Sequence, residues 1–93
     1  MKSIVTEYTE NCFLCGSPNA EEHHIFFGTA NRKLSDEYGL VVPLCNKHHT
    51  GSAECPHKNR MIDLLLKYTG QMAFEKVHGD REDFRRIFGK SYL

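Results

Sequence analysis

Two short ligand pairs, thirty residues apart, constrain this chain more than any other feature. Cys12-Phe-Leu-Cys15-Gly16 is a C-x2-C-G knuckle, in which two thiols sit on a tight turn. Gly16 supplies the backbone freedom that aims both sulfurs at one ion. Cys45-Asn-Lys-His48 repeats the short spacing. Together the pairs predict a tetrahedral zinc site with Cys12, Cys15, Cys45 and His48 as ligands. Four cysteines in a secreted chain of this size would instead suggest two disulfides. The opening Met1-Lys-Ser-Ile-Val-Thr-Glu7 turns acidic too early for an export signal, so the chain is expected in the reducing cytoplasm, where metal is the better reading. Cys55 fits neither pair and reads as a bystander thiol.

Ninety-three residues make one small domain, 1–93, with a modest core, so a structural zinc would contribute folding free energy outright. Twelve Lys and Arg balance twelve Asp and Glu, and 40% of the residues are hydrophobic, which excludes a basic disordered tail. Runs such as Gly39–Cys45 and Leu64–Leu66 fall far short of the roughly 20 apolar residues that span a bilayer.

Six histidines are present. With His48 assigned to zinc, His78 falls near a helix end, where a cationic side chain suits the macrodipole, and reads as structural or solvated. His23-His24, His49 and His57 form a more informative set. A zinc frame that brings Cys45–His48 back against Cys12–Cys15 makes the segments after each half converge. His23 and His24 are then expected near His49, in a second metal site distinct from the structural one.

Residues 1–9 read as a short strand or an ordered lead-in. Glu21–Phe27 reads as a strand ending at Gly28, and the polar stretch Gly28–Glu37 as a loop with at most a short helical turn. Tyr38–Leu44 reads as the strongest strand, stopped by Pro43 and the second ligand pair, and pairs with the first as an antiparallel hairpin. A helix is expected from near Cys45–His49 or after Pro56, with Lys58–Tyr68 at helical spacing and Gly70 ending it. Gln71–His78 reads as a second short helix. Asp80 caps a third over Arg81–Phe88, with Gly89 as the stop. The expected architecture is α+β: a ββα metal core over about 12–69 and helices over about 71–88. Arg32, Lys33, Lys47, Lys58 and Arg60 surround the expected histidine site and are candidate phosphate contacts, while Arg85-Arg86 reads as a solvated pair.

His23-His24 on a strand, Leu44-Cys45-Asn-Lys-His48-His49 and then His57 resemble the HNH nuclease (ββα-metal) family in its zinc-knuckle form, over roughly residues 12–60. His-His-Ile-Phe-Phe-Gly28, Leu40-Val-Val-Pro-Leu-Cys45 and the closing Phe88-Gly-Lys-Ser-Tyr-Leu93 are similar to small stand-alone HNH nucleases of phages and prophages, and to phage recombination-enhancing nucleases. The resemblance implies a His-Me finger, treble-clef-like core, DNA as substrate, and a recombination or packaging protein as a partner. His48 stands where the family more often has cysteine, a conservative exchange for zinc. His24 falls at the general base, and His23, His49 and His57 at the ligands of a catalytic metal. The interval from His49 to His57 is longer than the family's, which makes Asn59 an alternative to His57. The family's asparagine that orients the base lies five residues before the cysteine, where this chain has Leu40. Asn31 or a backbone carbonyl is then the candidate orienter of His24.

The chemistry is coherent. Phosphodiester hydrolysis needs a base to deprotonate water, which imidazole does near neutral pH, and a Lewis acid for the developing charge. An imidazole-rich shell favours Zn2+, Ni2+, Co2+ or Mn2+ over Mg2+, although family members often work with Mg2+ or Mn2+. A non-catalytic zinc adaptor for nucleic acid or protein explains the Cys3His set equally well but leaves the other histidines unexplained. A zinc deaminase would need a His-x-Glu, which is missing around His23 and His24. Zero net charge predicts weak nonspecific DNA affinity and reliance on a partner or a preferred DNA structure.

Overall fold

The computed structural model describes residues 2–51 and 59–93. Two short strands, β1 (Glu21–His24) and β2 (Val41–Leu44), pair antiparallel with Glu21 opposite Leu44 and His24 opposite Val41. Between them lies a helix, α1 (Thr29–Tyr38). A single π-helical turn, Lys47–Gly51, follows β2, and two helices close the chain, α2 (Arg60–Val77) and α3 (Arg81–Phe88). The chain is a small α+β protein. Among the described residues, no helix is long and apolar enough to cross a membrane.

β2 is buried along its whole length, as its apolar sequence requires. Both strands are shorter than their apolar content suggests. β1 gives way after Ile25, whose N–H still reaches Leu40 O at 3.0 Å. At Phe26 a side chain takes over the backbone: the Ser35 hydroxyl accepts from Phe26 N–H (3.1 Å) and donates to Phe26 O (2.8 Å). β2 starts late because Tyr38 belongs to α1 and Gly39, at φ 72°, closes that helix in the left-handed conformation. The lead-in is ordered without forming a strand. Ile4 N–H bonds Gly39 O at 2.9 Å and the Ser3 hydroxyl donates to Val41 O at 2.6 Å.

The segment Gly28–Glu37, expected as a loop, is most of α1. One of its anchors to the rest of the protein is polar: Ser35 is fully buried and bonded to Phe26, while only Leu34 and Tyr38 add apolar packing against the core. A helix held by a serine carries little apolar periodicity, which is why its composition reads as loop.

The expected break at Gly70 is also absent. Lys58–Tyr68 and Gln71–His78 were to be two helices, but Arg60–Val77 is one, and the expected division near residues 69–71 falls inside it. Gly70 is a point of close approach. A Cβ there would stand 3.2 Å from Ile25 Cδ1, Ile25 Cγ2 and Phe26 Cε2. Gly70 thus lets α2 lie against the end of β1. Next to it, buried Gln71 accepts from Tyr92 N–H (2.7 Å) and donates to Ser91 Oγ (3.0 Å), fastening the C-terminal segment to α2.

The third helix matches its expected bounds. Asp80 and Asp83 form a reciprocal capping box, and Gly89 closes α3 at φ 93°. The Asp80 backbone N–H, and then Arg86, hold the Asp83 carboxyl below its ordinary range. Phe84 and Phe88 from α3 meet Phe26 at ring-centroid distances of 5.2 and 4.8 Å, with Phe74 from α2 at 5.3 Å from Phe84. His78, as expected, is structural: its Nε2 donates to Tyr38 O at 3.0 Å beside the end of α2.

Gly70 gives two opposed terms of known size. Alanine recovers about 1 kcal/mol of helix propensity but presses on Ile25 and Phe26, so Gly70→Ala should be nearly neutral. Gly70→Val adds atoms that the contact has no room for and should cost about 1–3 kcal/mol. Urea denaturation of the zinc-saturated protein checks both.

Candidate metal centre and histidine cleft

The four predicted zinc ligands meet. Cys12 N–H bonds Ser17 O and Gly16 N–H bonds Cys12 O, both at 2.8 Å, folding the knuckle with Gly16 at φ 78°. Phe13 N–H then bonds Pro43 O at 2.7 Å, which docks the knuckle against β2 just before Cys45. On the other side, the Cys45 carbonyl accepts from both His48 and His49 N–H, at 3.0 and 2.8 Å, and turns His48 back towards the thiols.

The donor atoms fit a tetrahedral ion. Zn–S bonds of about 2.3 Å and Zn–N bonds of about 2.05 Å place donors roughly 3.5–3.8 Å apart. Observed separations are 3.6 Å between Cys15 and Cys45 Sγ, and 3.3 and 3.8 Å from His48 Nδ1 to Cys45 and Cys12 Sγ. All four donors lie within 4.8 Å of one another.

The thiols are unequal. The Ser17 hydroxyl, 3.2 Å away, and then the Ser17 backbone hold Cys15 down to about 6. At Cys45 the His48 N–H acts to lower the thiol pKa, but burial and the neighbouring Cys15 and Cys12 outweigh it and push it up. Thiolates this close repel one another, and a divalent cation removes that repulsion. The cluster therefore fits a structural zinc.

A second set of histidines lines an open cleft of about 510 Å³ at the end of β1, walled by Glu22, His23, His24, Phe27, Arg32 and His49. The expected meeting of His23 with His49 occurs: their ring centroids are 5.4 Å apart, nearly perpendicular at 79°. Period-two alternation divides β1 between two sets of partners. Glu21 and His23 share one face, and Glu21 Oε2 lies 3.3 Å from His49 Nδ1. Glu22 and His24 share the other, where His24 Nε2 lies 2.8 Å from Asp36 Oδ1 and 3.4 Å from Glu22 Oε1. From α2, Lys67 pairs with Asp63 at 2.9 Å and lies 4.2 Å from the Phe27 ring centroid.

The remaining predicted positions divide clearly. Arg32 reaches the cleft wall from α1, while Lys33, Lys47 and Arg60 are exposed on α1, the π-turn and the start of α2. Asn59, the alternative to His57, is instead the N-cap of α2, its Oδ1 accepting from Ile62 N–H at 3.2 Å. Leu40 is fully buried in the core. Asn31, the candidate orienter of His24, is half-buried on α1, and the side-chain hydrogen bond of His24 goes to Asp36. His57, Lys58 and Cys55 lie outside the described residues.

The sequence reading missed Glu21, Glu22 and Asp36. Strand alternation already placed Glu22 beside His24 and Glu21 beside His23. Asp36 had no such signal, because it reaches His24 only through α1.

What the fold and site define is a small α+β protein with a Cys3His cluster that fits zinc and a separate histidine-lined cleft. No family model, curated protein or solved structure matches the chain at the significance required.

The metal cluster makes a direct prediction. Purified protein should carry one tightly held zinc, and Cys45→Ser should lose it. Stripping that zinc with a strong chelator should abolish the cooperative unfolding transition, since in domains of this size zinc binding and folding share one free energy. Elemental analysis with circular dichroism checks the outcome.

Proposed function

We propose that this chain is a metal-dependent DNA endonuclease of the HNH, zinc-knuckle type, built on a ββα-metal core. The observation that carries the reading is that His23, His24 and His49 line one cleft, separate from the Cys3His cluster. A zinc adaptor requires only the cluster and has no use for three more histidines at a common opening.

In this reading β1, β2 and the turn bearing His48 and His49 make the metal unit, and α1 is an insertion between its strands. His23 and His49 are the described ligands of the catalytic ion, with His57 assigned to it from the sequence. Two imidazoles on one ion hold their centroids roughly 4.5–5.5 Å apart, and the 5.4 Å between His23 and His49 fits this. Glu21 at His49 Nδ1 is the kind of carboxylate partner that fixes the tautomer of a metal-binding histidine and leaves Nε2 to the ion. An imidazole set suits Zn2+, Ni2+, Co2+ or Mn2+, and Mg2+ less well. When bound, the ion supplies Lewis acidity for the charge that develops on the phosphate and the departing oxygen.

His24 removes the proton from the attacking water, the new P–O bond forms in line, and the P–O bond to the 3′-oxygen breaks, the departing oxygen taking a proton from solvent water. Arg32 on the cleft wall contacts the phosphate backbone, with Lys33, Lys47 and Arg60 on the surrounding surface and Lys58 assigned from the sequence. A neutral total charge is compatible with this, because the contacts are local.

A plasmid-nicking assay across Mn2+, Mg2+, Ni2+, Co2+ and Zn2+ tests the reading. Wild type should nick with at least one ion, and His24→Ala should lose on the order of 10²–10⁴-fold in rate while keeping its structural zinc and fold. Wild-type protein that nicks no DNA with any of these ions would leave the adaptor as the function.

A further inference from the structure

We infer that Asp36 is the positioning residue for His24, replacing an orienting asparagine with a carboxylate delivered by α1; this rests on the nuclease reading of the cleft. At the position where the family resemblance implies that asparagine, this chain has Leu40, which is fully buried and has no polar side-chain atom. The group that meets the imidazole comes instead from α1. His24 Nε2 stands 2.8 Å from Asp36 Oδ1, a distance typical of a charge-assisted hydrogen bond.

Both partners are held by regular structure. His24 is on β1, paired opposite Val41. Asp36 follows Ser35, whose buried hydroxyl is bonded to both the N–H and the C=O of Phe26, two residues beyond His24. The same clamp that ends β1 therefore sets where the Asp36 carboxylate stands. With the Nε2 proton donated to Asp36, the imidazole lone pair resides on Nδ1, and one ring orientation is selected. Glu22, at 3.4 Å from the same nitrogen, is the longer contact.

The Asp36 side chain is 59% exposed, so the bond contributes little to stability and its removal leaves the fold intact. The effect is on orientation, where a displacement of about 1 Å can cost on the order of 10²-fold in rate. Glu22, His24 and Asp36 also bring three ligand-type atoms within 4.8 Å of one another, so a cation bound there is the competing assignment that the experiment must separate.

The test compares wild type, Asp36→Ala and Asp36→Asn in the full, zinc-loaded chain. Long-range proton–nitrogen correlation spectra should place the His24 proton on Nε2 in wild type and show a tautomer mixture in Asp36→Ala. In the nicking assay, Asp36→Ala should lose on the order of 10²-fold in kcat with KM changed by less than about twofold. Asp36→Asn should recover most of that loss, because its Oδ1 still accepts from Nε2. Mn2+ binding, followed by electron paramagnetic resonance, should be unchanged in both variants. An unaltered tautomer or a wild-type nicking rate in Asp36→Ala would overturn the assignment. Loss of Mn2+ binding in that variant would overturn it too, by making Asp36 a metal ligand. If wild type nicks nothing, the nuclease reading fails by itself, and the tautomer comparison still decides whether Asp36 fixes His24.

Discussion

The convergence of Cys12, Cys15, Cys45 and His48 is the constraint on which the rest of the structure depends. It joins the knuckle before β1 to the turn after β2, and so closes the chain around the strand pair. A two-stranded sheet has little independent stability in water. Here it is held at one end by the ligand cluster and the Phe13–Pro43 hydrogen bond. Elsewhere it is held by helices packed on Ile25, Phe26 and Val42. Because His49 directly follows a ligand of the cluster, the geometry of the zinc site also sets where that histidine stands relative to β1.

β1 organises the cleft by alternation. His23 and Glu21 face His49, while His24 and Glu22 face Asp36, so neighbouring residues of one strand serve two distinct sets of partners. At the cleft, His24 and His49 each have a carboxylate against one ring nitrogen. A carboxylate so placed selects a tautomer and leaves the other nitrogen available for chemistry. In the proposed nuclease the two tasks of ligation and proton transfer thereby fall to adjacent residues of a four-residue strand, each with its own carboxylate neighbour, at one cleft.

Much of this was legible in the sequence where a residue's job depends on its near neighbours. The ligand pairs, both strands, the Asp80 cap of α3 and the approach of His23 to His49 follow from short spacings and from closing one frame. Two features of the helices were not legible, each for the same kind of reason. α1 is anchored in part by the Ser35 hydroxyl on the Phe26 backbone, with only Leu34 and Tyr38 on the core, which leaves a sparse apolar pattern. Gly70 reads as a helix stop by local propensity, but the close approach of Ile25 and Phe26 makes it an interior packing position. In both cases a partner distant in sequence overrides the local preference.

The sequence by itself determined which residues form the Cys3His cluster, because metal ligation demands particular side chains at particular spacings, and closing that frame brought His23 towards His49. Only the tertiary structure decided that Asp36 meets His24, that Glu21 meets His49, and that Asn59 caps α2. A carboxylate or an amide suits many surroundings equally well, and its use is set by which backbone the fold happens to bring within hydrogen-bonding distance.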